Sequence, residues 1–132
     1  MTGITDLDQL LASLEPELHP EPWVVAVVER VPDDCTPFAT VDEDEGTTVV
    51  VTAAEADRLG LAHDYVAARI TLRVHSALEA VGMTAAFSRA LADAGMSCNV
   101  IAGFHHDHLL VPWERGAEAV TILRSLGRGP DV

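Results

Sequence analysis

The chain has 132 residues, 48% of them hydrophobic, and a formal net charge of −13. That length and apolar content suit one compact domain, or two very small units sharing a core. With 21 acids against 8 bases, no basic stripe is available for nucleic acid or an anionic membrane. All the bases are arginine, which excludes a Schiff-base lysine and a P-loop lysine.

Taken in chain order, Thr5 with Asp8 three residues on resembles a capping box, and Leu7, Leu10, Leu11 and Leu14 then share one helical face. This opening stretch has no basic region and no apolar core before a cleavage site, so no signal peptide is expected. "EPELHPEP" holds Pro16, Pro20 and Pro22 and reads as a loop. Trp23 to Val28 is a continuous apolar run, expected to be a strand covered on both faces. "PFATV" and "TTVVVT" flank the acidic Asp42–Gly46 tip and predict a hairpin. Thr52 as N-cap, Glu55 and Gly60 bound a short helix.

In "RITLRVHS", Ile70, Leu72 and Val74 alternate with Thr71, Arg73 and His75, the pattern of a half-buried strand. Met83, Phe87, Ala90, Leu91 and Ala94 share a helical face that ends at Gly95. "SCNVIAG" and "DHLLVP" read as strands joined at Phe104–His106. "WERGAEAVTILRSL" reads as the last helix, with Trp113, Ala117 and Val120 on one face, and "GRGPDV" is a frayed tail. No apolar run exceeds about six residues, too short for a membrane span. The expectation is a soluble cytoplasmic protein with Cys35 and Cys98 reduced.

The segment "ITLRVHSALEAVGMTAAFSRALADAGMSCNVIAGFHHDHLLVP" resembles an ACT domain. A strand leads to a loop containing Gly82, then to a helix of the form G-M-x-x-x-F-x-x-x-L-A-x-A-G-M, then to a strand ending "NVIAG". The match runs from about Arg69 to Leu126. Within the ACT group the whole chain resembles a small family of paired-ACT proteins. It shares Glu43–Gly46, Thr48–Val50, Val74–Ser76, Ser97–Val100 and His106–His108 with that family. Related ACT units occur in aspartate kinases and cytosolic arginine sensors.

The resemblance implies an α+β, ferredoxin-like βαββαβ fold, with an atypical first unit at residues 1–66, a second at 67–127 and a tail at 128–132. It also implies a regulatory, non-catalytic role with an amino acid or similar small molecule as partner, and no cofactor. The first half begins with a helix and lacks a glycine at a strand–helix junction. It is therefore either missing an element or exchanging one with the second half.

Candidate ligand groups follow from that resemblance. The amides of Val81, Gly82 and Met83 at a helix N-terminus suit a carboxylate. Asn99, beside Val100, can accept from an ammonium group and donate to a carboxylate, or is merely an exposed polar residue. Asp107 is expected near Arg69, either as a structural ion pair or as an anchor for a ligand's ammonium or guanidinium.

The histidine-rich stretch at 105–108 raises a metal alternative. His106 and His108 share a strand face, while His105 and Asp107 point the other way. A third ligand from His75 is expected to be roughly 15 Å away, because its strand is read as parallel to that of His108. No metal is therefore expected; the alternative is a metal-binding protein or small metalloenzyme using His105, His106 and His108. A third reading is an interaction module without a ligand. Exposed strand edges suggest a homodimer.

Overall fold

The computed structural model describes residues 6–74 and 81–128. Its elements are α1 (Leu7–Ala12), β1 (Pro16–Val28), β2 (Ala39–Glu43), β3 (Gly46–Thr52), α2 (Ala53–Leu59), β4 (Val66–Leu72), α3 (Met83–Asp93), β5 (Asn99–Ala102), β6 (Asp107–Pro112) and α4 (Gly116–Ser125). Short 3-10 turns flank α4 at Trp113–Arg115 and Leu126–Arg128. The helix boundaries have local causes. Asp6, rather than Thr5, caps α1 by accepting from the Gln9 amide at 3.1 Å; Thr5 lies outside the described residues. Thr52 caps α2 through the Glu55 amide, and Gly60 closes it in the left-handed conformation.

The six strands form one antiparallel sheet in the order β2-β3-β1-β4-β6-β5. The order is symmetric about the β1–β4 seam. A ferredoxin-like unit runs strand 4-1-3-2. The second half supplies β4, β6 and β5 as strands 1, 3 and 2, and takes β1 as its fourth. The first half supplies β1, β3 and β2, and takes β4. Each unit thus completes its sheet with the other's first strand, so neither has a whole sheet alone. In the first unit, residues 29–38 stand where the second unit has α3.

The "EPELHPEP" segment is not a loop but the first half of β1. Residues 16–22 pair only with β4, because β3 ends at the Trp23–Thr52 pair. Prolines there sit on a locally free edge and beside the register shift between Leu18 and Pro22, where missing N–H groups break no ladder bond.

All the described helices pack on one face. Val24 lies opposite Val66 and Pro22 opposite Ala68, so the two core clusters share that face. Leu10, Ile70, Leu72, Phe87, Leu91, Leu109, Val111 and Leu123 are buried under α1, α3 and α4. Val24, Ala26, Val49 and Val51 are buried under α2. Beyond Trp23, which is buried on the other face, the run to Val28 is therefore covered on one face only: Val25 is 38% and Val27 63% exposed on the other. On α4 the inward positions are Gly116, Ala119, Val120 and Leu123; Ala117 and Trp113 face outward. Among the described residues, no helix is long and apolar enough to cross a membrane.

Candidate functional site

Two places gather polar chemistry. The first is the Gly82 turn. Gly82 has φ 98°, in the left-handed region, and immediately precedes α3 with no side chain capping the helix. An L side chain would be strained there, and its Cβ would meet Leu7 Cδ2 at 3.1 Å. Leu7 of α1 therefore packs over the turn. Val81 is 82% exposed, whereas Met83 is buried in the core. Residues 75–80, including His75 and Ser76, lie outside the described residues.

The register places the other candidate residues differently from expectation. β4 and β6 are antiparallel, with Thr71 opposite His108 and Leu72 opposite Asp107. The parallel arrangement behind the separation of His75 from His108 does not occur. Asp107 shares the helix-covered face with Leu72, while Arg69 lies opposite Leu110 on the other face. An Arg69–Asp107 pair is thus ruled out by the pleat. Asp107 is half-buried, and loss of water raises its pKa.

Asp107 also stands at the sheet end where β4 finishes before the chain runs to Gly82, so these two are not at opposite ends. Asn99 is. It is exposed and opposite Leu110, at the start of β5, three residues and about 10 Å from Ala102, which faces Asp107. Val100 lies opposite Leu109 and is partly exposed.

His105, His106 and His108 form no metal-holding group: among the described residues, no three His, Cys, Asp or Glu side chains gather to hold an ion. The Gly103 amide donates to the His106 carbonyl at 2.9 Å, and a Cβ on Gly103 would come within 2.9 Å of that oxygen. The tight turn explains why a glycine ends β5.

The second place is the centre of the open sheet face. Thr71, 2% exposed, has its hydroxyl 2.8 Å from His19 Nε2 and 3.0 Å from His108 Nδ1. One hydroxyl can donate to only one ring and must accept from the other. Burial, then the nearby Arg69 charge, holds His108 down at about 4, and burial followed by Arg69 lowers His19 as well. The Phe38 ring meets His108 edge-on at 4.9 Å. Glu17 accepts two bonds from Arg73 at the rim, which lowers the Glu17 pKa and raises that of Arg73.

Arg69 lies beside this chain of bonds. Its guanidinium carbon is 3.5 Å from the Phe38 ring centre and 4.7 Å from that of Trp23. Desolvation lowers its pKa. Arg69 Nε and Trp23 Nε1 are both buried N–H donors without a hydrogen-bond partner. Leaving such a group unmet costs about 1–3 kcal/mol. The semi-polar Arg69–Thr71–Arg73 alternation signalled this face in the sequence. Its partners His19, Trp23 and Phe38 were not legible, because their meeting depends on the β1–β4 register and on β1 extending through the prolines.

The sequence matches ACT-domain family models over residues 2–68 and 68–125. The chain belongs to the ACT-domain family, as a tandem pair of such units. It is similar to a Vibrio cholerae protein of unknown function, described as a possible transport protein, at 42% identity. That match has a TM-score of 0.83 and covers 96% of this chain and 99% of the other. An Agrobacterium tumefaciens protein is 19% identical with a TM-score of 0.70, covering 86% and 89%. The regulatory subunit of aspartate kinase from Thermus flavus shares the fold at 9% identity and a TM-score of 0.60, covering 85% and 96%. No curated protein matches the sequence.

Proposed function

We propose that this chain is a non-catalytic regulatory module that binds an amino acid or a similar small metabolite at the Gly82 end of its sheet, as a homodimer. The observation that carries this reading is the left-handed Gly82 placed before an uncapped α3. First-turn amides there suit a carboxylate, flanked by Val81 and Met83. Asp107, at the same sheet end, is the acidic group for an ammonium.

Asn99 and Val100 stand at the far end of β5, so they reach this site only from a second copy. An antiparallel β5–β5 pair across a two-fold axis would set one copy's Asn99 beside the other's Ala102, next to Asp107. The opposite sheet edge, β2, carries Asp42 and Glu43 and runs into a turn with Asp44 and Glu45, and so repels its own copy, whereas β5 carries no charge.

A thermal-shift screen of the twenty amino acids tests the reading. Ligand at 100 times its dissociation constant stabilises by about 2.7 kcal/mol, and no shift at millimolar concentrations would remove it. Val81→Asp adds a negative charge at an exposed position before α3. It should leave folding intact and weaken carboxylate binding about fivefold. Light scattering checks the dimer: Val100→Lys on the β5 edge should give a 14.1 kDa monomer.

A further inference from the structure

A cleft of about 520 Å³ opens beside the Arg69 cluster, away from the Gly82 turn. Trp23, Phe38 and Arg69 line one part of it; Asp34, Glu55 and Arg58 line another. The volume is that of a small-molecule site. We propose that this cleft is a second ligand site, for a small molecule carrying both a carboxylate and an amine, with Arg69 as the carboxylate anchor.

The charges argue for that class. Arg30, Arg58, Arg73, Arg89 and Arg115 each hold a carboxylate. Arg69 does not pair with any among the described residues, in a chain with 21 acids. Its charge rests against the Phe38 and Trp23 rings, with Glu17 and Glu21 acting only at longer range. The rings offset the cation but accept no in-plane hydrogen bond from it. Arg69 thus brings one uncompensated positive charge to the aromatic part of the cleft, and Arg69 Nε and Trp23 Nε1 are buried donors without a partner in the same two lining residues. A planar carboxylate satisfies a guanidinium fork in a way that water at a surface arginine does not have to.

The other part has the opposite balance. Arg58 donates to Asp34 Oδ2 at 3.0 Å and to Glu55 Oε2 at 3.0 Å, so two carboxylates share one cation. The surplus negative charge suits an amine. Thr52, the N-cap of α2, and Thr36 add neutral polar groups to the lining. A simple anion would meet repulsion at the Asp34–Glu55 end, and a simple amine would meet it at Arg69.

Trp23 reports on the cleft directly. In a Trp113→Phe background it is the sole tryptophan. The probes are the twenty amino acids, together with the matching carboxylic acids lacking the amine and amides lacking the carboxylate. At least one amino acid should change Trp23 fluorescence saturably. Calorimetry should then show binding about tenfold to a hundredfold weaker in Arg69→Gln, and weaker for both truncated probes. Arg69→Lys, which keeps the charge, guards against misfolding and should lose affinity while melting like the parent.

Binding untouched by both Arg69 variants, or equal affinity for the amine-free acid, overturns the proposal. So does silence of Trp23 toward every probe. The Val81→Asp variant separates the two sites. Its loss of binding with Arg69→Gln intact assigns the ligand to the Gly82 turn, and the reverse pattern assigns it to the cleft.

Discussion

The two faces of the sheet are made from the same strands but solve different problems. On β4, Ala68, Ile70 and Leu72 point to the helices and are fully buried among leucines and Phe87. The residues between them, Ala67, Arg69 and Thr71, point to the open face, where Phe38 and Tyr65 provide partial cover. The helix-covered face is held mainly by apolar area, so its cost of disruption scales with volume lost. The open face buries charged and titratable groups, and is held by their mutual satisfaction. Stability therefore belongs mainly to the helix-covered face, whereas the open face carries a buried polar cluster of its own, apart from the Gly82 and Asp107 end of the helix layer.

Phe87→Ala is the strongest test of that division. The ring is fully buried beneath α3, and its loss should cost about 3–5 kcal/mol in urea unfolding. A smaller cost would mean that the helix layer is not the main source of stability. Thr71→Val keeps the volume but removes the hydroxyl between His19 and His108. It should cost about 1–3 kcal/mol, because two ring nitrogens lose their partner. A neutral result would show that the open face is held by packing like the other.

Acid distinguishes the faces further. The unfolded chain takes up a proton on His108 near the ordinary value of 6.5, whereas the folded ring does so only at about 4. Unfolding thus binds protons between those values, so stability falls as pH drops through that window. His19, also lowered, acts in the same direction. Asp107 is raised above its ordinary 3.8, which favours the folded state as pH falls and partly offsets the loss at the acid end. With a discount for partial exposure, the loss attributable to His108 between pH 7 and pH 5 is about 1–2 kcal/mol. Urea titrations at the two pH values should show a shallower loss in His108→Gln, and identical slopes would contradict the assignment.

Which of this was readable from sequence follows the same division. The covered face was legible because helix periodicity and capping act locally: Met83, Phe87 and Leu91 are buried as their spacing predicts, and Gly95 stops the helix at φ 71°. The second ACT unit was legible from Gly82 and the helix after it, and the tandem pair from the motifs spread over both halves, from Glu43–Gly46 to His106–His108. The exchange of β1 and β4 was open as an alternative, but its register was not. The prolines of β1 signal a loop unless it is known that residues 16–22 pair with β4 on one side only and are free on the β3 side. Without that, His19 has no route to Thr71; the antiparallel placement of the His108 strand, by contrast, follows from the ferredoxin-like topology itself and not from any local pattern. Contacts between residues 52 apart in sequence are fixed by topology, which local patterns do not encode.

The smallest expected effect bears on how open the open face is. Val25, Val27 and Val41 lie exposed on its outer third, where Val27 and Val41 both face Thr48 across the strands. The apolar run of β1 predicted cover on both sides, and one copy of the chain supplies it on one side only. If that surface meets water in the working protein, Val27→Thr removes little buried area and should change stability by less than about 0.5 kcal/mol, at any protein concentration. If a second copy lies across it, rather than along the β5 edge, the same substitution should lower the melting temperature more at high concentration than at low, since only the associated form would lose a contact. Melting curves across a hundredfold range of concentration separate the two. A small effect independent of concentration would leave β5 as the pairing surface, and would confine the function of the open face to Arg69, His108 and the groups around them.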